Sequence, residues 1–120
     1  MKTIPFGKIG ELEKLIKTNI KKIKLLCTVT EKKELPEHKL TILKIKDETG
    51  TTEARIFGEE NERNLIIGRI KEGDTILLIG IIRKIEDETY IIPEGIKKLN
   101  QEWSEYYKLR YKRYKTKSIT

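Results

Sequence analysis

The chain has 120 residues, enough for one domain with a modest core. Charged residues make up 38% and hydrophobic residues 37%, which excludes a chain disordered by composition; no apolar run reaches the ~18 residues that span a bilayer. The net charge is +7 and uneven: Lys108, Arg110, Lys112, Arg113, Lys115 and Lys117 against Glu102 and Glu105 place +4 of it after residue 100.

Residues 1–10 are a lead-in with Pro5 and Gly7 and carry no basic-then-apolar signal pattern. The expected location is therefore cytoplasmic or otherwise intracellular, and nucleoid-associated in a prokaryote. Leu12, Leu15 and Ile16 stand at helical spacing within Glu11 to Lys17, a short helix able to plug a barrel end. Ile23, Leu25, Cys27 and Val29 alternate with Lys24, Leu26, Thr28 and Thr30, which predicts a long first strand. Cys27, the single cysteine, has no disulfide partner and reads as a small core residue. Pro36 breaks the strand, so 33–39 is expected as a loop before a second strand, Leu40 to Asp47.

Thr49-Gly50 predicts a turn in which Gly50 takes a positive φ. In the third strand Thr52, Ala54 and Ile56 share one face, and Glu53, Arg55 and Phe57 the other. The small apolar set belongs inside, which turns Arg55 and Phe57 outward. Asn61 to Ile70, with Leu65, Ile66 and Ile70, reads as a short helix. Asp74 to Ile85 is the fourth strand, Glu86-Asp87-Glu88 a loop tip, and Thr89 to Ile92 a fifth strand stopped by Pro93. Asn100 is placed to cap a helix from Gln101 to about residue 115, with acidic residues in its first turns and basic ones in its last.

The expected fold is thus all-β with flanking helices: a five-stranded closed barrel over 1–98, followed by an amphipathic aromatic and basic helix over 99–120. The stretches Asp47 to Gly58, Glu72 to Lys84 and Tyr90 to Glu94 resemble the OB-fold domains of archaeal and eukaryotic replication protein A and the related Stn1-type telomere subunits. The resemblance implies an OB-fold Greek-key barrel that binds single-stranded DNA. The C-terminal helix is similar to that of the small and middle replication protein A subunits. It implies assembly with other OB-fold subunits through that helix.

Phe57 stands where related single-strand binders place an aromatic on the open face, where bases stack whatever their sequence. The alternative is that Phe57 packs on the following helix. Arg55, two residues earlier, can meet a phosphate, a base or a neighbouring carboxylate. Lys44 and Lys46 alternate with Leu43 and Ile45, so both point outward and line one groove with Arg55. Lys33 and Lys39 flank the loop between strands one and two, and Arg83 and Tyr90 flank that between strands four and five, the loops that clasp ligands in OB folds. Tyr90 is a candidate second platform, opposed by the acidic tip Glu86-Asp87-Glu88. His38 has no second histidine with which to form a metal pair.

Five of the eight aromatics fall in the C-terminal helix. Trp103, Tyr107, Tyr111 and Tyr114 form one helical face, which with Tyr106 and Arg110 is the expected subunit interface. Packing on its own barrel and contact with nucleic acid are the alternatives for this face. No nucleophile–histidine–carboxylate set, Gly-rich phosphate loop or metal-ligand cluster is written in the sequence, so neither an enzyme nor a cofactor is expected. The expected partners are single-stranded DNA, with RNA possible, and other OB-fold subunits, with no membrane. Two other functions fit the same residues: an assembly subunit with little binding of its own, and an RNA- or tRNA-binding module.

Overall fold

The computed structural model describes residues 4–119, with side chains through Tyr111. The strands are β1 (Phe6–Gly7), β2 (Lys22–Leu35), β3 (Leu40–Asp47), β4 (Gly50–Phe57), β5 (Thr75–Ile85) and β6 (Glu88–Lys98). The helices are α1 (Leu12–Lys17), α2 (Glu60–Ile67) and α3 (Gln101–Ile119). The strand order is β1-β2-β3-β4-β6-β5, and β2 pairs again with β5. Strands β2 to β6 therefore close into the expected five-stranded barrel, and closure leaves no open sheet edge in it. Strand β2 makes this possible by serving two neighbours: Lys22 to Thr28 pair with β5, and Thr28 to Leu35 pair with β3. A bulge between Val29 and Glu31 lies at the change of partner, where a bulge bends and twists a strand.

The interior is filled by the inward sets of each strand: Ile23, Leu25, Cys27 and Val29 from β2, Leu43 and Ile45 from β3, and Ala54 and Ile56 from β4. Ile76, Leu78, Ile82 and Ile91 belong to the same core, together with Ile9 and Leu12 from the N-terminal segment and Ile67 and Ile70 at and after the end of α2. Burial pushes the Cys27 thiol up to about 12, and the Asp47 carboxylate adds to that shift. Cys27 should stay unmodified by Ellman's reagent in the native protein and react after unfolding in urea. Rapid reaction of the native thiol would show that β2 opens at this point.

Four local expectations are corrected. Residues 33–35 are strand, because Lys33, Glu34 and Leu35 pair with Ile42, Thr41 and Leu40; only Pro36–His38, a 3-10 turn, and left-handed Lys39 form the connection. Gly50 does not take a positive φ. The β3–β4 turn is held instead by Asp47, whose Oδ1 accepts from the Thr49 N–H at 2.8 Å and whose Oδ2 accepts from the Ile9 N–H at 2.9 Å.

Pro93 does not end β6. It sits opposite Gly80 at a bulge between Ile79 and Gly80, a place in a sheet that tolerates a residue without an N–H. A Cβ on Gly80 would fall 2.6 Å from Ile91 Cγ2 and 2.7 Å from the Ile92 carbonyl, so the approach of β5 and β6 there requires glycine. Helix α2 ends at Gly68, whose φ is +59°, rather than at Ile70. Leu65 on α2 is solvent-exposed, and Ile67 and Arg63 take the buried face.

Helix α3 starts as expected, with the Trp103 N–H donating to Asn100 Oδ1 at 2.9 Å. It lies against a small second cluster of Phe6, Leu77 and Leu99, on which Tyr107 and Tyr111 pack.

Candidate nucleic-acid interface

Three strands share one outer face, and their registers fix which side chains lie side by side. Leu35 of β2 opposes Leu40 of β3, which opposes Phe57 of β4. The next row is Lys33, Ile42 and Arg55, and the next is Glu31, Lys44 and Glu53. Lys46 pairs with Thr51 beyond them. The face thus runs from an apolar row into charged rows. Phe57 is 52% exposed, and Leu35, Leu40 and Ile42 are half-buried around it. Packing on α2, the alternative that the sequence left open, does not bury the ring: about half of it faces solvent.

The backbone at Phe57 is held from behind by Arg63. This guanidinium is only 4% exposed and donates to the Gly58 carbonyl at 2.6 Å and to Thr41 Oγ1 at 3.0 Å. The Gly58 N–H donates to the Lys39 carbonyl at 3.0 Å. Lys39 points its ammonium at Glu59, 2.6 Å away, which holds the Glu59 carboxyl below its ordinary range and the Lys39 ammonium above its own. Lys39 is therefore engaged with Glu59 rather than presented to the groove. Arg63 was not among the residues picked out by sequence. Its signal is its spacing: it stands four residues before buried Ile67, on the face that should be apolar.

The cations of the groove are unequal. Lys44 pairs with Glu31 at 3.2 Å. Arg55 donates to Glu53 from both Nε and Nη2, at 3.1 and 3.0 Å, and from Nη2 to Glu88 at 3.4 Å. Its guanidinium carbon lies 4.2 Å from the centre of the Tyr90 ring. Tyr90 is only 7% exposed, so its ring is not an open platform. Lys33, Lys46 and Arg83 are exposed and have no ion pair among the described residues.

The aromatic face of α3 is divided. Tyr107 lies 6.0 Å from Phe6 between ring centres, and the Tyr111 hydroxyl donates to Glu11 at 2.9 Å under the Lys8 ammonium. Both are docked on the barrel. Trp103, Tyr106 and Leu109 are exposed at 47%, 44% and 57%, with Arg110 donating to the Tyr106 hydroxyl at 3.1 Å. The side chain of Tyr114 lies outside the described residues. Among the described residues no group of His, Cys, Asp and Glu could hold a metal ion, and no helix is long and apolar enough to cross a membrane.

The chain is similar over 90% of its length to a chain of a replication protein A heterotrimer bound to single-stranded DNA, matching 91% of that chain at a TM-score of 0.72 and 11% identity. This chain is an OB fold. The OB barrel is also similar to the S. pombe Stn1–Ten1 complex, at a TM-score of 0.63 and 19% identity, over 82% of this chain and 75% of that one. A third similarity is to asparaginyl-tRNA synthetase from Pyrococcus horikoshii, at a TM-score of 0.54 and 20% identity, over 66% of this chain and 20% of that one. No protein-family model and no curated protein matches the OB chain by sequence.

Proposed function

We propose that the chain binds single-stranded DNA on the outer face of β2, β3 and β4 and serves as one OB subunit of a replication protein A-like assembly. The observation that carries this reading is Phe57, a half-exposed aromatic on an open barrel face, with unpaired Lys33 in the neighbouring row and unpaired Lys46 farther along the same face. A base stacks on such a ring, and Lys33, Lys46 and Arg83 meet the strand's phosphates. The chain acts by binding, with no reaction of its own. The exposed side of α3, with Trp103, Tyr106, Leu109 and Arg110, is the surface for neighbouring subunits; Tyr107 and Tyr111 anchor the helix from beneath. A single barrel covers few nucleotides, so neighbours raise affinity by holding further barrels on the same strand.

Fluorescence anisotropy of a labelled single strand, titrated at several salt concentrations, tests this reading, with duplex and RNA of the same sequence as competitors. Three unpaired cations imply a slope of log affinity against log salt of about −2. Preference for the single strand with that slope is the expected result. The ion pairs Lys44–Glu31 and Arg55–Glu53 favour a second reading, in which the barrel is mainly a scaffold and partners hold the nucleic acid. Absence of binding at micromolar protein would move the assignment there, and preference for RNA would make this an RNA-binding module.

A further inference from the structure

Arg55 sits in an unusual setting for a groove cation. One edge of its guanidinium is held by Glu53, through Nε and Nη2, and Glu88 takes a second bond from Nη2. The guanidinium carbon of Arg55 stands 4.2 Å from the centre of the Tyr90 ring. The strand registers build this arrangement. Glu53 is two residues before Arg55 on the same outer face of β4, and Tyr90 pairs with Glu53 across the parallel β4–β6 contact. The Arg55 side chain retains 24% exposure, and the side toward Tyr90 is taken by that ring, so a ligand reaches the guanidinium from the side away from it. A phosphate reaching for Arg55 must compete with two carboxylates. A base approaching perpendicular to the plane disturbs neither of them, nor the contact with Tyr90.

We propose that the outer face of the Arg55 guanidinium, backed by the Tyr90 ring, is a base-stacking platform beside Phe57, and that Arg55 is not a phosphate contact. The inference rests on the single-strand-binding reading of this face and specifies its second subsite. Planar guanidinium groups stack on bases as aromatic rings do, whereas an ammonium does not. Arg55 and Phe57 lie two residues apart on one strand, ~6.6 Å along its backbone, and the guanidinium is drawn toward Glu53, away from Phe57, so bases on the two groups need not stack on each other. Tyr90 acts from below: it holds the guanidinium flat and does not itself touch the strand. The platform has no donors aimed at base edges, so this subsite takes any base.

The test separates plane from charge. Arg55→Lys keeps the charge and removes the plane. It should weaken binding of a labelled oligothymidylate about tenfold and leave the salt slope unchanged. Arg55→Lys binding within about twofold of wild type, as a phosphate contact predicts, would overturn the proposal. Glu88→Gln, a substitution at the exposed first residue of β6, gives an independent reading. Stacking predicts an unchanged slope, whereas a phosphate contact freed from Glu88 would steepen it by about 0.7 and overturn the proposal. If the wild type binds and Phe57→Ala weakens it while Arg55→Lys does not, this inference fails and the parent reading stands. A wild type that binds no single strand removes both.

Discussion

Phe57→Ala should weaken single-strand binding about tenfold or more, because a stacked base contributes ~1–3 kcal/mol and 1.4 kcal/mol is a factor of ten. The fold should hardly respond. Half of the ring is in solvent, and the barrel interior is filled by the opposite faces of the same strands. Phe57→Trp, with a larger π face, should bind at least as tightly as wild type. The salt slope should not change in either variant, since no cation is removed. Anisotropy titration and thermal melting, done on the same preparations, check all three statements. Unaltered affinity in Phe57→Ala would remove the ring from the interface and leave the cationic rows without a stacking partner.

Much of this was legible from period two alone. Alternation in β2, β3 and β4 set the inward and outward faces of each strand, and turn residues set the number of strands. The fates of individual outward residues were not legible. Tyr90 reads as an outward aromatic, and it is outward, but Arg55 from a strand 35 residues earlier covers it. That contact depends on the parallel register of β4 and β6, which no local pattern encodes. The same holds for Lys44, whose partner Glu31 comes from the part of β2 read as the approach to a loop. Pro93 shows the opposite failure. A local rule said stop, and a bulge facing a glycine on the neighbouring strand lets the strand continue.

Helix α3 shows how far a helical face can be read. Spacing put Trp103, Tyr107 and Tyr111 on one stripe, and the stripe is real. The barrel takes its Tyr107 and Tyr111 part, because Phe6, Leu77 and Leu99 form a patch just beneath it. Trp103 stays exposed and joins Tyr106, which it meets edge to face at 5.5 Å. Of the residues expected at a subunit interface, Trp103 and Tyr106 therefore stay exposed, while Tyr107 and Tyr111 pack on the barrel.

The second large effect is expected at Arg63. A buried guanidinium on the inner face of a short helix is destabilising unless its donors are satisfied. Here Thr41 Oγ1 and the Gly58 carbonyl accept from it, and the carboxylate nearest to it in an ion pair, Glu34, stands 3.9 Å away. Arg63→Met keeps much of the apolar stem and strands both acceptors, Thr41 at full burial. The cost should be ~3 kcal/mol, read from urea unfolding as a lower midpoint at unchanged slope. Thr41→Val in the same chain should recover part of it, because removing both polar ends is cheaper than removing one. The Gly58 carbonyl follows Phe57 directly, so Arg63→Met should also weaken strand binding in the folded protein, under conditions where Thr41→Val alone does not. A variant as stable as wild type would show that these bonds contribute little net free energy. Lost stability with intact binding would show that Phe57 is held by β3 alone, through its pairing with Leu40.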